Sequence, residues 1–469
     1  MTIFTAETYQ LRRQKLVQQV SNGLILLLGN VDSPFNSTDN PYRFRQDSSF
    51  LYFCGLDQPG VAVLLDAETG SETLFGKQQS LDDVIWSGSQ PSLQSQSEQV
   101  GISAATSIDN LGDVLSAAIA AGRIIHYLPS CRADNKIRLG TLLGKDLATV
   151  NKDASPALIK EVVALRSVKG KEEIAELDAA ADLGYQLHTT AMGMAREGVY
   201  EWEIAGELEA VAACAGRMLS FPPIVTTHGE ILHNHQRDNQ LQNGDLLLVD
   251  CGVESQLHYA SDHTRTIPVR GKFSSRQKGI YQIVLTCHER ARTLIRPGIA
   301  YLDVHLAACR TLVEGLQSLG LMRGDIDRAV TAGAHALFMP HGLGHMLGLD
   351  VHDMENLGED YVGYDDKTER STQFGTSGLR LGRELQEGFV LTVEPGIYFI
   401  PKLIEQWQAT GQHAEFINYA RLTEYLDFGG IRLEDDILVT GTGNRLLGRP
   451  IPLQIAEIEN RTGFLLTTF

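Results

Sequence analysis

No stretch of the chain is apolar for the roughly 18 residues that a membrane-spanning helix needs. Runs such as Leu24–Leu28 are strand-sized. The six cysteines (Cys54, Cys131, Cys214, Cys251, Cys287 and Cys309) contain no CxxC pair. This argues against a thiolate zinc cluster or a dithiol redox motif, and they read as buried free thiols of a cytoplasmic protein. Basic residues are in deficit: 40 Lys and Arg against 58 Asp and Glu leave a net charge of −18. A nucleic-acid partner or an anionic membrane surface is therefore not expected. Arg12, Arg13 and Lys15 precede the first apolar run, but polar Gln18, Gln19, Ser21 and Asn22 intervene and no small-residue cleavage site follows. The segment is therefore not read as a signal peptide. No segment is of low complexity.

What remains is the composition of a soluble globular protein, 43% hydrophobic and 21% charged. A length of 469 residues favours two domains. Residues 1–20 carry a helical pattern. Strand-like runs follow at Leu24–Leu28 and Val61–Leu65, with helical stretches after them. The aromatic segment from Asp47 to Gly55 reads as a core strand or helix. The polar break Asn151-Lys-Asp-Ala-Ser-Pro156 is the best boundary, so an N-terminal α/β domain is expected over 1–153 and a second domain over 154–469. In that second domain, Arg196-Glu-Gly198 and Arg296-Pro-Gly298 each follow a long helix and precede an amphipathic one (Ile204–Val211 and Val304–Leu316). The repeat predicts two related α/β halves, each laying a helix pair on a sheet.

The densest chemistry lies in Pro340-His-Gly-Leu-Gly-His-Met-Leu-Gly-Leu-Asp-Val-His-Asp353, which holds three of the 14 histidines. Its glycines disfavour a helix. If extended, it places His341, Leu343 and His345 on one face. It is not the HExxH zinc motif, because Leu343 stands where the glutamate belongs. Gly342, Gly344 and Gly348 also miss the dinucleotide-binding spacing.

Four apolar strand patterns each deliver an acid. Leu246–Val249 runs into Asp250, and a second strand, read as Leu257–Ile267, contains Asp262. A regular hairpin centred on residue 256 would set these two opposite one another. Phe389–Val393 ends in Glu394, and Gly430–Val439 carries Arg432 and Glu434 on one face. Like charges held together in a core are costly unless compensated. Two divalent cations about 3.5–4 Å apart, bridged by a water or hydroxide, would balance four carboxylates and supply a nucleophile at neutral pH. Oxygen-rich ligation with one imidazole suits manganese, iron or cobalt better than a thiolate-type zinc site.

The set Leu248-Val-Asp250-Cys-Gly, Ser261-Asp262-His-Thr-Arg265-Thr, His341-Gly-Leu-Gly-His345, Thr392-Val-Glu394-Pro-Gly and Ile431-Arg-Leu-Glu434-Asp resembles the pita-bread metallopeptidases. Within them it is similar to the proline-specific branch, aminopeptidase P and prolidase. Arg45-Gln-Asp-Ser48 and Tyr52-Phe-Cys-Gly55 match that branch's N-terminal domain. The resemblance implies an α/β fold with a C-terminal pita-bread domain of two pseudo-symmetric halves behind a smaller α/β domain. It implies metal ligation by Asp250, Asp262, His345, Glu394 and Glu434 around two divalent ions, Mn²⁺ foremost, with Co²⁺, Fe²⁺ or Zn²⁺ as alternatives. Glu394 would shuttle the proton. His233 and His352 would contact substrate, with His341 and Arg432 lining the site. Arg380 would hold a dipeptide's carboxylate, with Arg383 as its competitor.

The substrates implied are small peptides with proline in second place, cut after the N-terminal residue. The pocket leans towards Xaa-Pro dipeptides, with a strict aminopeptidase P acting on longer peptides as the alternative. A metal-free binding protein of the same fold would have lost a ligand, and none is missing. Homodimers or homotetramers are common among these relatives. Two positions depart from the pattern. His263 replaces an aliphatic and should point away from the metals by strand parity, and the shortened Thr226–Glu230 segment leaves His228 as a possible substrate contact.

Overall fold

The protein is described by a computed structural model covering residues 3–463, so positions 1 and 2 of the expected N-terminal helix lie outside the described residues. The chain forms two compact units, Met1–Arg166 with Met354–Tyr361, and Ser167–Asp353 with Val362–Phe469. Among the described residues no helix is long and apolar enough to cross a membrane.

In the first unit, helix α1 (Ala6–Val20) starts at Thr5, whose side chain accepts from the Thr8 amide. Strand β1 (Leu24–Leu28) is the expected apolar run. The segment that read as strand or helix is a helix, α2 (Ser48–Cys54). Asp47 caps its start through the Phe50 amide, and Gly55 closes it at φ +65°. Those two signals decide the matter: an Asp N-cap and a left-handed glycine stop belong to helices. Strands β2 (Ala62–Asp66), β3 (Glu72–Gly76), β4 (Ala104–Ser107) and β5 (Ile125–Tyr127) complete a five-stranded sheet in the order β4-β3-β2-β1-β5. Arg13 is fully buried beside this sheet, yet it is paired with Glu72 at 2.9 Å and donates to the carbonyls of Phe53 and Val100.

The second unit is built twice over. Helices α3 (Lys171–Met194) and α4 (Glu201–Cys214) form one pair, and α5 (Ser275–Leu294) and α6 (Tyr301–Ser318) the other. Each pair is joined at a glycine in the left-handed region, Gly198 at φ +89° and Gly298 at +85°. Each glycine amide bonds the segment leading into its own half's hairpin, Gly198 to Leu241 O and Gly298 to Leu385 O, both at 2.9 Å. The first sheet has β6 (Ile224–Thr226), β7 (Leu246–Cys251) and β8 (His263–Pro268) in the order β8-β7-β6. In the second half, β9 (Val390–Val393) pairs β12 (Asp435–Val439), which pairs β13 (Asn444–Leu446). The short strands β10 (Gly396–Tyr398) and β11 (Gly430–Arg432) form a separate ribbon. The fold is thus α/β, with two pseudo-symmetric halves.

Three expectations about local structure are corrected. The second strand of the first hairpin begins at His263 rather than Leu257, because residues 254–260 turn back on themselves through a Glu254–Ala260 bridge. The run Gly430–Val439 is broken at Leu433 and Glu434, where the chain leaves one ladder and joins another. Of the cysteines, Cys54, Cys251, Cys287 and Cys309 are buried, but Cys131 and Cys214 are exposed.

Candidate active site

The acids meet where the two hairpins converge. In the first hairpin Asp250 pairs with Thr264, not Asp262, so the turn is centred on residue 257 rather than 256. Asp262 lies two residues before Thr264 and keeps its parity, and for that reason both aspartates still reach the same face. In the second half Glu394 directly follows β9 and Glu434 directly precedes β12, much as Asp250 lies at the end of β7 and Asp262 directly precedes β8. A bridge between Thr264 and Glu434 joins the two hairpins.

Asp250, Asp262, Glu394, Glu434, His341, His345, His352, His233, Arg380 and Arg432 all line one cavity of about 390 Å³. The ten residues to which the family resemblance gives a site role are therefore brought together. Phe221, Pro222, Ile224, Leu232 and Val351 form its apolar wall.

The His341–His352 segment is not helical. It lies along β9 as a strand does: Thr392 N donates to His345 O at 3.0 Å, and Glu394 N to Leu343 O at 2.8 Å. Gly344 permits this closeness, since a Cβ there would sit 2.1 Å from the Thr392 carbonyl oxygen. Leu343, between the two histidines, is buried and does not line the cavity.

His345 Nε2 is 3.4 Å from Asp262 Oδ2 and 3.8 Å from Glu394 Oε1. Its Nδ1 is 3.0 Å from the Met346 carbonyl. That contact places the proton on Nδ1 and leaves the Nε2 lone pair facing the acids, the arrangement of a ligating imidazole. Ligand atoms of Asp262, His345 and Glu434 lie within 4.8 Å of one another. His341 bonds the Gly342 carbonyl and the Tyr398 hydroxyl at 2.7 and 2.9 Å, and burial pushes its pKa down to about 3, so the ring is neutral. Arg380 Nη1 lies 3.0 and 2.9 Å from the two ring nitrogens of His352, and the His352 ring meets that of His345 edge-on at 4.3 Å. His233 stands exposed at the cavity's rim.

The electrostatics are those of a cluster awaiting positive charge. Burial and the charge of Asp250 raise Asp262 well above the carboxylate range. Burial, with Asp262 and Glu394 nearby, does the same to Glu434. Glu394 is pushed up to about 7 by burial and by Asp262 and Asp250, against the pull of His345 and Arg432. Oδ1 of Asp250 and Oδ1 of Asp262 are buried without any hydrogen-bond partner. Orphaned buried oxygens are rare, and here they sit on two acids that face a third acid and an imidazole. The donor set fits divalent cations.

Sequence reasoning missed the residues that hold these groups in place. Tyr398 joins His341 to Arg432 Nη1 at 3.0 Å. Thr264 Oγ1 donates to Glu434 Oε2 at 2.7 Å and accepts from Arg432 Nε at 3.2 Å. Arg432 Nη2 reaches Asp250 Oδ2 at 2.5 Å. Burial opposes the charge on Arg432, but Tyr398, Asp250 and Glu434 outweigh it and keep the guanidinium protonated. The threonine was visible in the Ser261–Thr266 motif, but its role depends on a contact across 170 residues of chain.

Other candidates fall outside the cavity. His263 turns away as strand parity requires, towards Asp436 at 3.5 Å. His228 is half-exposed, pairs with Glu230 at 3.1 Å and does not line the cavity. Arg383 bonds Ser167 and lies over the Phe389 ring, so of these two competitors Arg380 is the one that lines the cavity.

Comparisons with known proteins agree on one family. The model of metallopeptidase family M24 covers residues 175–441, and that of the aminopeptidase P N-terminal domain covers residues 9–126. The chain is 32% identical to the Xaa-Pro aminopeptidase of Escherichia coli K12, over 98% of each chain. It is 31% identical to the human Xaa-Pro dipeptidase, over 96% of this chain and 92% of that one. The solved structure of E. coli aminopeptidase P with the inhibitor Pro-Leu superposes with a TM-score of 0.80, at 31% identity over 98% of both chains. The chain belongs to metallopeptidase family M24, in its pita-bread branch of proline-specific peptidases.

Proposed function

We propose that this M24 peptidase releases the N-terminal residue from small peptides with proline in second place, using two Mn²⁺ ions held by Asp250, Asp262, His345, Glu394 and Glu434. The observation that carries this is the meeting of four acids and one oriented imidazole in a single cavity, with two carboxylate oxygens left unpartnered. When bound, the ions would polarise the scissile carbonyl and lower the pKa of a water to near neutrality.

The chain's own residues supply the rest. Glu394 takes the proton of the attacking water. As the C–N bond breaks, it returns that proton to the proline nitrogen. His233 and His352 hold the substrate carbonyl and the charge that develops on its oxygen. Arg432 fixes Asp250 from behind, and Tyr398 ties Arg432 to neutral His341. Proline offers no N–H for recognition, so the apolar wall of Phe221, Pro222 and Ile224 provides the contact for its ring.

The finer preference rests on Arg380. Its guanidinium faces the cavity, where a planar bidentate donor suits the carboxylate of an Xaa-Pro dipeptide. A second reading, an aminopeptidase P acting on longer peptides, is supported by whole-chain similarity to the E. coli enzyme. Kinetics on one Xaa-Pro dipeptide and its tripeptide extension, in Mn²⁺, separate the two. Arg380→Ala should raise KM for the dipeptide by roughly tenfold or more, the size of one charge-assisted hydrogen bond, and change the tripeptide little. Equal effects on both would remove the dipeptide reading.

A further inference from the structure

We propose that His305, Cys309 and His335 form a second metal site, apart from the catalytic cavity, that binds copper(I) through one thiolate and two imidazoles. The three residues are fully buried and offer ligand atoms that lie within 4.8 Å of one another. None of them lines the catalytic cavity. His305 and Cys309 are one turn apart on α6, with Cys309 Sγ 3.5 Å from His305 Nε2. That separation is close to the edge of a coordination triangle built from metal–nitrogen bonds of about 2.0 Å and metal–sulfur bonds of about 2.3 Å.

His335 comes from the 3₁₀ turn Ala334–Leu337, which follows Gly333 at φ +84°. Its ring meets that of His305 edge-on, with centroids 6.4 Å apart. Both nitrogens of His335 and Nδ1 of His305 are buried without a hydrogen-bond partner. Packing alone does not account for three unpartnered ring nitrogens beside one sulfur, since buried polar groups are normally satisfied. Burial keeps the rings neutral, His305 at about 3 and His335 at about 4, which is the ligating form.

Charge selects the ion. The cluster itself is one thiol and two imidazoles, with no carboxylate in it. A thiolate with a monovalent cation sums to zero. With a divalent cation it would leave a net positive charge in a dry pocket, which is costly. Thiolate and imidazole are both donors that copper(I) accepts, so the choice between it and zinc(II) rests on charge. Binding displaces the Cys309 thiol proton to solvent as the Cu–S bond forms, and nothing is oxidised or reduced. The ion would bolt α6 to the segment around His335.

The test uses the metal-loaded enzyme with the exposed cysteines removed (Cys131→Ser, Cys214→Ser). Copper(I) is supplied as its bicinchoninate complex, and the bound ion is read by X-ray absorption. The expected result is one copper(I) per chain with one sulfur and two nitrogen neighbours. Adding Cys309→Ser, or His335→Asn, should abolish that equivalent. A copper shell without sulfur, or uptake unchanged in both variants, would overturn the proposal. Uptake of zinc(II) in preference to copper(I) at these residues would overturn the charge argument. If the variants fail to fold, the ligand shell of the parent protein still decides.

Discussion

Glu434 and Asp435 are neighbours in sequence, both buried, and they sit in opposite surroundings. Asp435 faces Arg265, whose Nη2 lies 2.7 Å from its Oδ1, and His288, whose Nε2 lies 3.1 Å from its Oδ2. Burial works against its charge, but Arg265 and His288 hold it well below the carboxylate range. Arg265 is itself saturated: its Nε, Nη1 and Nη2 also donate to the carbonyls of Pro452, Thr264, Glu434 and Ile451. One residue earlier, Glu434 faces Asp262 and Glu394 and is pushed the other way. A buried charge with every partner present is part of the scaffold. A group of buried acids short of partners fits a bound cation. The two clusters share one strand junction, so the scaffold cluster positions the other.

Substitutions on the two sides should separate these roles. The largest effect is expected from Asp262→Ala: activity on Xaa-Pro substrates lost by more than the roughly 10–100-fold typical of outer-shell partners, with metal content lowered in parallel. Retained turnover at full occupancy would show that the acids are not ligands. Next comes Arg265→Met, which strands Asp435. Breaking such a buried pair costs about 3–5 kcal/mol, read as a lower denaturation midpoint, while the folded fraction keeps its metal. Loss of metal without loss of stability would reverse the assignment of the two clusters.

The smallest expected effect is a pH dependence. In the metal-free protein Asp262, Glu394 and Glu434 titrate above their unfolded values. They therefore hold protons the unfolded chain has released, and their contribution to stability falls as pH rises from the ordinary glutamate value of 4.5 through about 7. Divalent ions compete with those protons. The rise in Tm on adding Mn²⁺ should thus be larger at pH 8 than at pH 5. An equal rise at both would mean that the ions bind elsewhere.

Much of this was legible in the sequence because each acid sits at the abrupt end of an apolar run, and strand parity then assigns it a face. Parity survived even where the hairpin register was off: Asp262 lost its place opposite Asp250 yet kept its side. The repeat at Gly198 and Gly298 was legible because both turns need the left-handed region. What could not be read were contacts between distant segments. Thr264 and Tyr398 are ordinary strand residues until the second hairpin folds against the first. The exposure of Cys131 and Cys214 was not legible because residue type alone does not fix burial.

The central claim is that the converging hairpins hold two ions. Anomalous diffraction from crystals grown with Mn²⁺ tests it most directly. Two peaks about 3.5–4 Å apart, bounded by Asp250, Asp262, His345, Glu394 and Glu434, are expected. An absence of peaks there, with ions bound only at other places on the chain, would contradict it.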